Sequence, residues 1–173
     1  MRPGRWVSRL RGAGMPRVKL DEIDRRILAT LQDHGRMTNV RLAKTVGISP
    51  PPCLRRVRAL EKAGYIKGYH AELDANHLGF SVTVFAHVGL HSQAEADLAA
   101  FEERVRGWPM VRERSMMAGE TDFILKVVAK DWDAYQNWLT RELVASPNVD
   151  TVRSTLAIRE SKHLPGVPLD YSD

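Results

Sequence analysis

Arg55, Arg56 and Arg58 fall close together, a few positions after Gly47-Ile48-Ser49. A guanidinium is a permanent planar cation with a fork of donors. It suits phosphate oxygens and the major-groove edge of guanine. On a helix the same residues can also form a plain solvated face. The helix that carries them must separate the two readings. A second group lies further along the chain, at Met116, Met117, Gly119, Thr121 and Asp122. An α-amino acid brings an ammonium, a carboxylate and a side chain. Asp122 could accept from the ammonium, turn amides near residues 119–121 could take the carboxylate, and Met116 or Met117 could form an adaptable apolar wall. The plain alternative is that Gly119 makes a hairpin and Asp122 caps a turn.

Other chemistry is sparse. The six histidines do not suggest a metal. His87 and His91 sit on a strand pattern, where four residues span roughly 13 Å. His34, His70, His77 and His163 lack a Cys or carboxylate at ligand spacing. Cys53 is the only cysteine and lies at an apolar helical position, which suits inert packing. No P-loop, dinucleotide glycine pattern or nucleophile elbow is present. The expectation is no catalytic residue, no metal and no cofactor.

The arginines gain meaning from their setting. Residues 21–32 carry Ile23, Ile27, Leu28 and Leu31 on one stripe, with acids in the first turn. Gly35 ends that helix. Thr38 is a candidate N-cap for a short helix over residues 39–46, with Val40, Ala43 and Val46 inward. Gly47-Ile48 is a turn. A third helix follows, with Leu54, Val57, Leu60 and Cys53 inward. This is helix-turn-helix order. Pro50, Pro51 and Pro52 open the third helix, and a residue before proline avoids the α region. A ragged start between Pro50 and Pro52 is expected. Its first amides are missing, so backbone contacts to DNA must come from side chains, Ser49, Arg55 and Arg56.

Beyond residue 80 the period changes. Val82, Val84, Ala86, Val88 and Leu90 alternate as a strand. Residues 94–106 return to helical spacing, with Ala94, Leu98, Phe101 and Val105 inward. Strands over 111–117 and 123–129 flank the Gly119 turn. Asp131 caps a helix over residues 132–144, with Trp132, Tyr135, Leu139 and Leu143 inward. A last strand covers 149–160. The order β-α-β-β-α-β predicts a ferredoxin-like α+β unit. Its two helices cover one sheet face. Phe85, Ile124 and Val128 leave the other apolar, for a partner subunit to cover.

Charge divides along the same line. Residues 1–80 carry 16 Lys/Arg against 7 Asp/Glu, and residues 81–173 carry 10 against 14. A basic half and an acidic half suit one part for DNA and one for something else. Residues 1–19 hold six basic residues and no acid, and predict a disordered arm, or an upstream extension of a chain that starts at Met15. They lack the apolar core of a secretory signal. No apolar run approaches membrane-spanning length. Residues 20–64 are expected as the DNA-binding domain, 65–79 as a linking strand and hinge, 80–160 as the second domain, and 161–173 as a loosely held tail.

Four motifs in register carry a family resemblance. Leu20-Asp21 through Leu28 follows L-D-x-x-D-x-x-I-L, and Gly35 to Asn39 follows G-R-x-[ST]-N. Gly47 to Glu61 follows G-[IL]-S-P-x-x-x-x-x-R-V-x-x-L-E, and Gly64 to Tyr69 follows G-x-I-x-G-Y. The chain resembles the Lrp/AsnC family of transcriptional regulators over residues 20 to about 160. The resemblance implies a winged-helix-like helix-turn-helix domain and an ACT-like regulatory domain. It implies double-stranded DNA and an amino acid or related metabolite as partners, and homodimers, commonly four in a ring, in the cytoplasm on the nucleoid. Candidate DNA-binding residues are Asn39, Ser49, Pro51, Arg55, Arg56 and Arg58. The family often has Ser or Thr at the position of Pro51 and a small or acidic residue at that of Arg55, so the bases read should differ. The family binds effectors at the turn matching Gly119 to Asp122, between dimers, and ties its first strand (here 65–73) to the partner subunit. Sirohaem decarboxylases resemble the same two-domain layout and are the alternative. They need a tetrapyrrole cavity and no arginine-rich third helix.

Overall fold

The computed structural model describes residues 19–169. The basic arm, the Met15 alternative and the last four residues of the tail lie outside the described residues. The chain forms two compact units, one holding residues up to 72 together with 163 onward, the other residues 73–162.

The first unit is built on three helices. Helix α1 spans Glu22–Asp33. Asp21 caps it and accepts from the Asp24 amide at 2.8 Å, while Asp24 accepts from the Asp21 amide. This reciprocal pair satisfies two amides that a helix start leaves open. Helix α2 spans Asn39–Val46, with Thr38 as its side-chain cap. It stops at Gly47, whose φ of 78° favours glycine.

Helix α3 spans Pro50–Lys62. Its start is clean, not ragged. The first three amides of a helix have no partner within it, so prolines at 50, 51 and 52 forfeit nothing. Cys53 is the first residue required to donate, and it reaches the Ser49 carbonyl at 3.2 Å.

The core beneath is Ile27, Leu42, Ala43, Val46, Cys53, Val57 and Leu60. Two inward expectations fail: Val40 and Leu54 are exposed. Leu42, not among the expected inward residues, is buried instead on α2, and on α3 Cys53, Val57 and Leu60 face in without Leu54.

Residues 65–73 do not form a strand. A strand needs a neighbour for its amides and carbonyls, and the described chain supplies none. The segment leaves α3 through Gly64 (φ 76°) and runs on without regular secondary structure. Tyr69 is tied back to Glu61 by a 3.0 Å hydrogen bond.

The tail is also more tightly held than expected. The Gln32 side chain donates to the Val167 carbonyl at 3.0 Å and accepts from its amide at 2.9 Å.

In the second unit the strands are β1 Val82–Leu90, β2 Val111–Met116, β3 Phe123–Ala129 and β4 Val149–Leu156, and helix α4 is Glu95–Arg106. All neighbours are antiparallel, in the order β2-β3-β1-β4. Val84, Ala86, Val88, Phe123, Leu125 and Val127 are buried under the helices with Leu98, Phe101 and Val105.

The expected helix over 132–144 is divided. Helix α5, Trp132–Trp138, passes into a wider π turn at Leu139–Leu143. Trp132 is exposed, and Trp138 is buried in its place, edge-on to Trp108. Ala94 is an exposed cap residue of α4. The opposite sheet face leaves Phe85 exposed and Ile124 and Val128 half-buried.

Candidate DNA-reading face and effector turn

The α3 arginines divide by direction. Arg55 and Arg58 are exposed and make no ion pair among the described residues. They are free cations on the solvent side of the helix. Ser49 and Pro51 are exposed at its start, and the Ser49 hydroxyl makes no cap hydrogen bond, so it is available to a ligand.

Arg56 is turned the other way. Its Nη1 bridges Asp21 at 2.7 Å and Asp24 at 2.8 Å, the two acids of the α1 cap. The Asp24 amide and then Arg56 hold the Asp21 carboxyl below its usual range. The two carboxylates push Arg56 up. Arg56 therefore joins α3 to α1, and the expectation that it reaches phosphate does not fit this geometry.

Asn39 is likewise internal. Its Nδ2 donates to the Pro50 carbonyl at 2.9 Å, linking the starts of α2 and α3. Its buried Oδ1 finds no donor among the described residues. The nearby helix start is three prolines, which have none to give.

At the other candidate site, β2 and β3 leave the 117–122 turn between them. Met116 and Met117 are exposed, and Thr121 and Asp122 are half-buried. Asp122 is anchored three ways. Its amide donates to Val88 O at 2.9 Å, its carbonyl accepts from Met117 N at 2.8 Å, and its Oδ2 accepts from Leu90 N at 2.7 Å. The β1–β4 register shifts between Gly89 and Leu90, and the Leu90 amide turns to Asp122. Residue spacing carried no signal of this contact, since the partners are 32 apart. Asp122 Oδ1 makes no hydrogen bond among the described residues. Gly119 has ordinary φ and open space where a Cβ would stand, so the hairpin itself does not demand glycine there.

Similarity to known proteins covers both units. The winged helix-turn-helix DNA-binding family matches residues 20–67, and the Lrp/AsnC ligand binding domain matches residues 83–167. The leucine-responsive regulatory protein of Rhizobium meliloti is 54% identical over 84% of this chain and 94% of its own length. The Bkd operon transcriptional regulator of Pseudomonas aeruginosa is 44% identical over 82% and 92%. Among solved structures, a transcriptional regulator from Neisseria meningitidis in complex with L-Met has a TM-score of 0.84 at 34% identity, covering 88% of this chain and 98% of that one. The sirohaem-decarboxylase alternative draws no support from these matches. A helix-turn-helix with free arginines on its third helix, a four-stranded sheet carrying a ligand domain, and relatives of this identity place the chain in the Lrp/AsnC family of transcriptional regulators.

Proposed function

We propose that this chain binds duplex DNA through Ser49, Pro51, Arg55 and Arg58, and that an amino acid held at the 119–122 turn modulates that binding. The free guanidiniums of Arg55 and Arg58 carry the DNA part. The unused Asp122 oxygen, on the same turn as an unobstructed Gly119, supports the second: an oxygen for an ammonium, and room for a ligand to approach the backbone. The Neisseria relative was solved with L-Met. Met116 and Met117 suit an apolar side chain of that kind.

Exposed Phe85 with Ile124 and Val128 supports pairing of two sheets into a dimer, and assembly of dimers to an octamer is inferred from the family resemblance alone. The chain acts as a regulator and not as an enzyme, in the cytoplasm at the nucleoid. Among the described residues, no helix is long and apolar enough to cross a membrane.

One binding experiment tests both halves. Promoter-fragment affinity is measured against salt for the parent, Arg55→Ala and Asp122→Asn, with and without the best ligand from a thermal-shift screen of the twenty amino acids. Arg55→Ala should weaken DNA binding and lower the salt slope by about one. Asp122→Asn keeps an acceptor for Leu90 and loses the charge. It should bind DNA normally without ligand and bind the amino acid at least tenfold more weakly, about 1.4 kcal/mol per decade. An unchanged salt slope in the first variant, or unchanged amino-acid affinity in the second, refutes the corresponding assignment.

A further inference from the structure

The second unit belongs to the acidic part of the chain, yet Arg106, Arg112 and Arg114 gather at one corner of it. Two ordinary reasons exist. Cations near the end of α4 complement the helix dipole, and charge on the edge strand β2 discourages pairing with other chains. A bulge protects an edge strand in the same way, and here it also decides where Arg114 points.

Val111 lies opposite Val127, Glu113 opposite Lys126 and Arg114 opposite Leu125, with a register shift between Val111 and Glu113. Val127 and Leu125 face the helices, so Val111 and Arg114 share the helix side. In a regular strand, residues three apart point to opposite faces. The bulge re-aims Arg114 toward α4, a use to which bulges are often put. There its Nη1 donates to Glu102 O at 2.8 Å, and its Nη2 stands 3.5 Å from the Glu102 carboxylate.

Arg106, Arg112 and Arg114 then line one depression of about 310 Å³, with Val105, Val111 and Glu113. The local carboxylates are partly occupied. Glu113 is held by Lys126 at 3.2 Å, and Glu103 pairs with Arg106. Arg112 donates only to the Pro109 carbonyl, at 3.3 Å. Within the lining, three arginines, Arg106, Arg112 and Arg114, stand against one carboxylate, Glu113. The excess is two positive charges.

We propose that this depression is a second ligand site, taking the phosphate dianion of a small phosphate-bearing molecule on Arg106, Arg112 and Arg114. A dianion matches the excess charge, and Arg112, bonded to a single carbonyl, keeps most of its N–H donors free for phosphate oxygens beside the cationic Arg106 and Arg114. The site lies at the start of β2, and the amino-acid turn follows its end, so one strand spans both.

The test is calorimetry of pyrophosphate into the intact protein, at fixed ionic strength in a phosphate-free buffer. Saturable binding is expected for the parent. Arg112→Ala should weaken it tenfold or more, and this side chain is exposed enough for the fold to survive its loss. Arg114→Lys keeps the charge, loses the fork and should weaken binding several-fold. Arg141→Ala, an arginine outside the depression, should bind as the parent does. DNA phosphates are the competing source of the same chemistry. Promoter-fragment salt slopes in Arg112→Ala should therefore equal the parent's. No saturable binding, equal binding by Arg112→Ala, loss of binding in Arg55→Ala, or a lowered DNA salt slope in Arg112→Ala would each overturn the proposal.

Discussion

A guanidinium that bridges two carboxylates has little left for a phosphate, and Arg56 makes that bridge at Asp21 and Asp24. The pair is partly exposed, so solvent screens it and its net worth is small. Arg56→Ala should lower the melting temperature at neutral pH by a few degrees and leave the DNA salt slope unchanged. The pH dependence has a definite sign. The folded Asp21 carboxyl lies below its ordinary value of 3.8, with the Asp24 amide as the larger cause and Arg56 next. Its stabilising effect is present above that ordinary value and fades as pH falls through the lower folded one. Melts of the parent and Arg56→Ala should thus differ at pH 7 and converge in strong acid. A variant that melts like the parent at pH 7, or that loses salt slope, would return Arg56 to the DNA face.

Among the elements, α3 shows how local rules combine. Three prolines looked like an obstacle to a clean start because each restrains the residue before it. In the fold they coincide with the positions where an amide is dispensable, and Ser49 supplies the first carbonyl. The tail is the converse case. Its residues have no apolar period, yet 163–169 group with the helix unit, and Gln32 holds Val167 by a donor and an acceptor. Gly166 makes this close approach possible. Its φ is 75°, and a Cβ there would stand 2.0 Å from Gln32 Oε1. Gly166→Ala should release the tail: the Val167 amide should lose hydrogen-exchange protection, with only a small drop in melting temperature. Retained protection at Val167 would show that the Gln32 contact does not hold the segment.

At the scale of the molecule, the second unit has a core of its own beneath two helices and one apolar face without cover. A fragment of residues 73–162 should therefore dimerise in analytical ultracentrifugation, and Phe85→Glu should push it toward monomer. A compact monomer in the parent fragment would refute sheet-face assembly.

Which of these features could be read from residue order follows from the range of the interactions. Periodicity, caps and breakers act within a turn or two, and they placed α2 and β3 at their observed limits. The order of elements and the arginine-bearing third helix were equally legible, because each rests on local pattern. Direction was not. Whether Arg56 faces DNA or Asp24, and whether Asp122 is free or bonded to Leu90, depends on residues 32 positions away. Residues 65–73 have strand composition, but a strand exists only with a neighbour to pair its backbone, and the described chain offers none. The bulge that turns Arg114 toward α4 is set by how β2 seats on β3, a relation between two segments that neither contains alone.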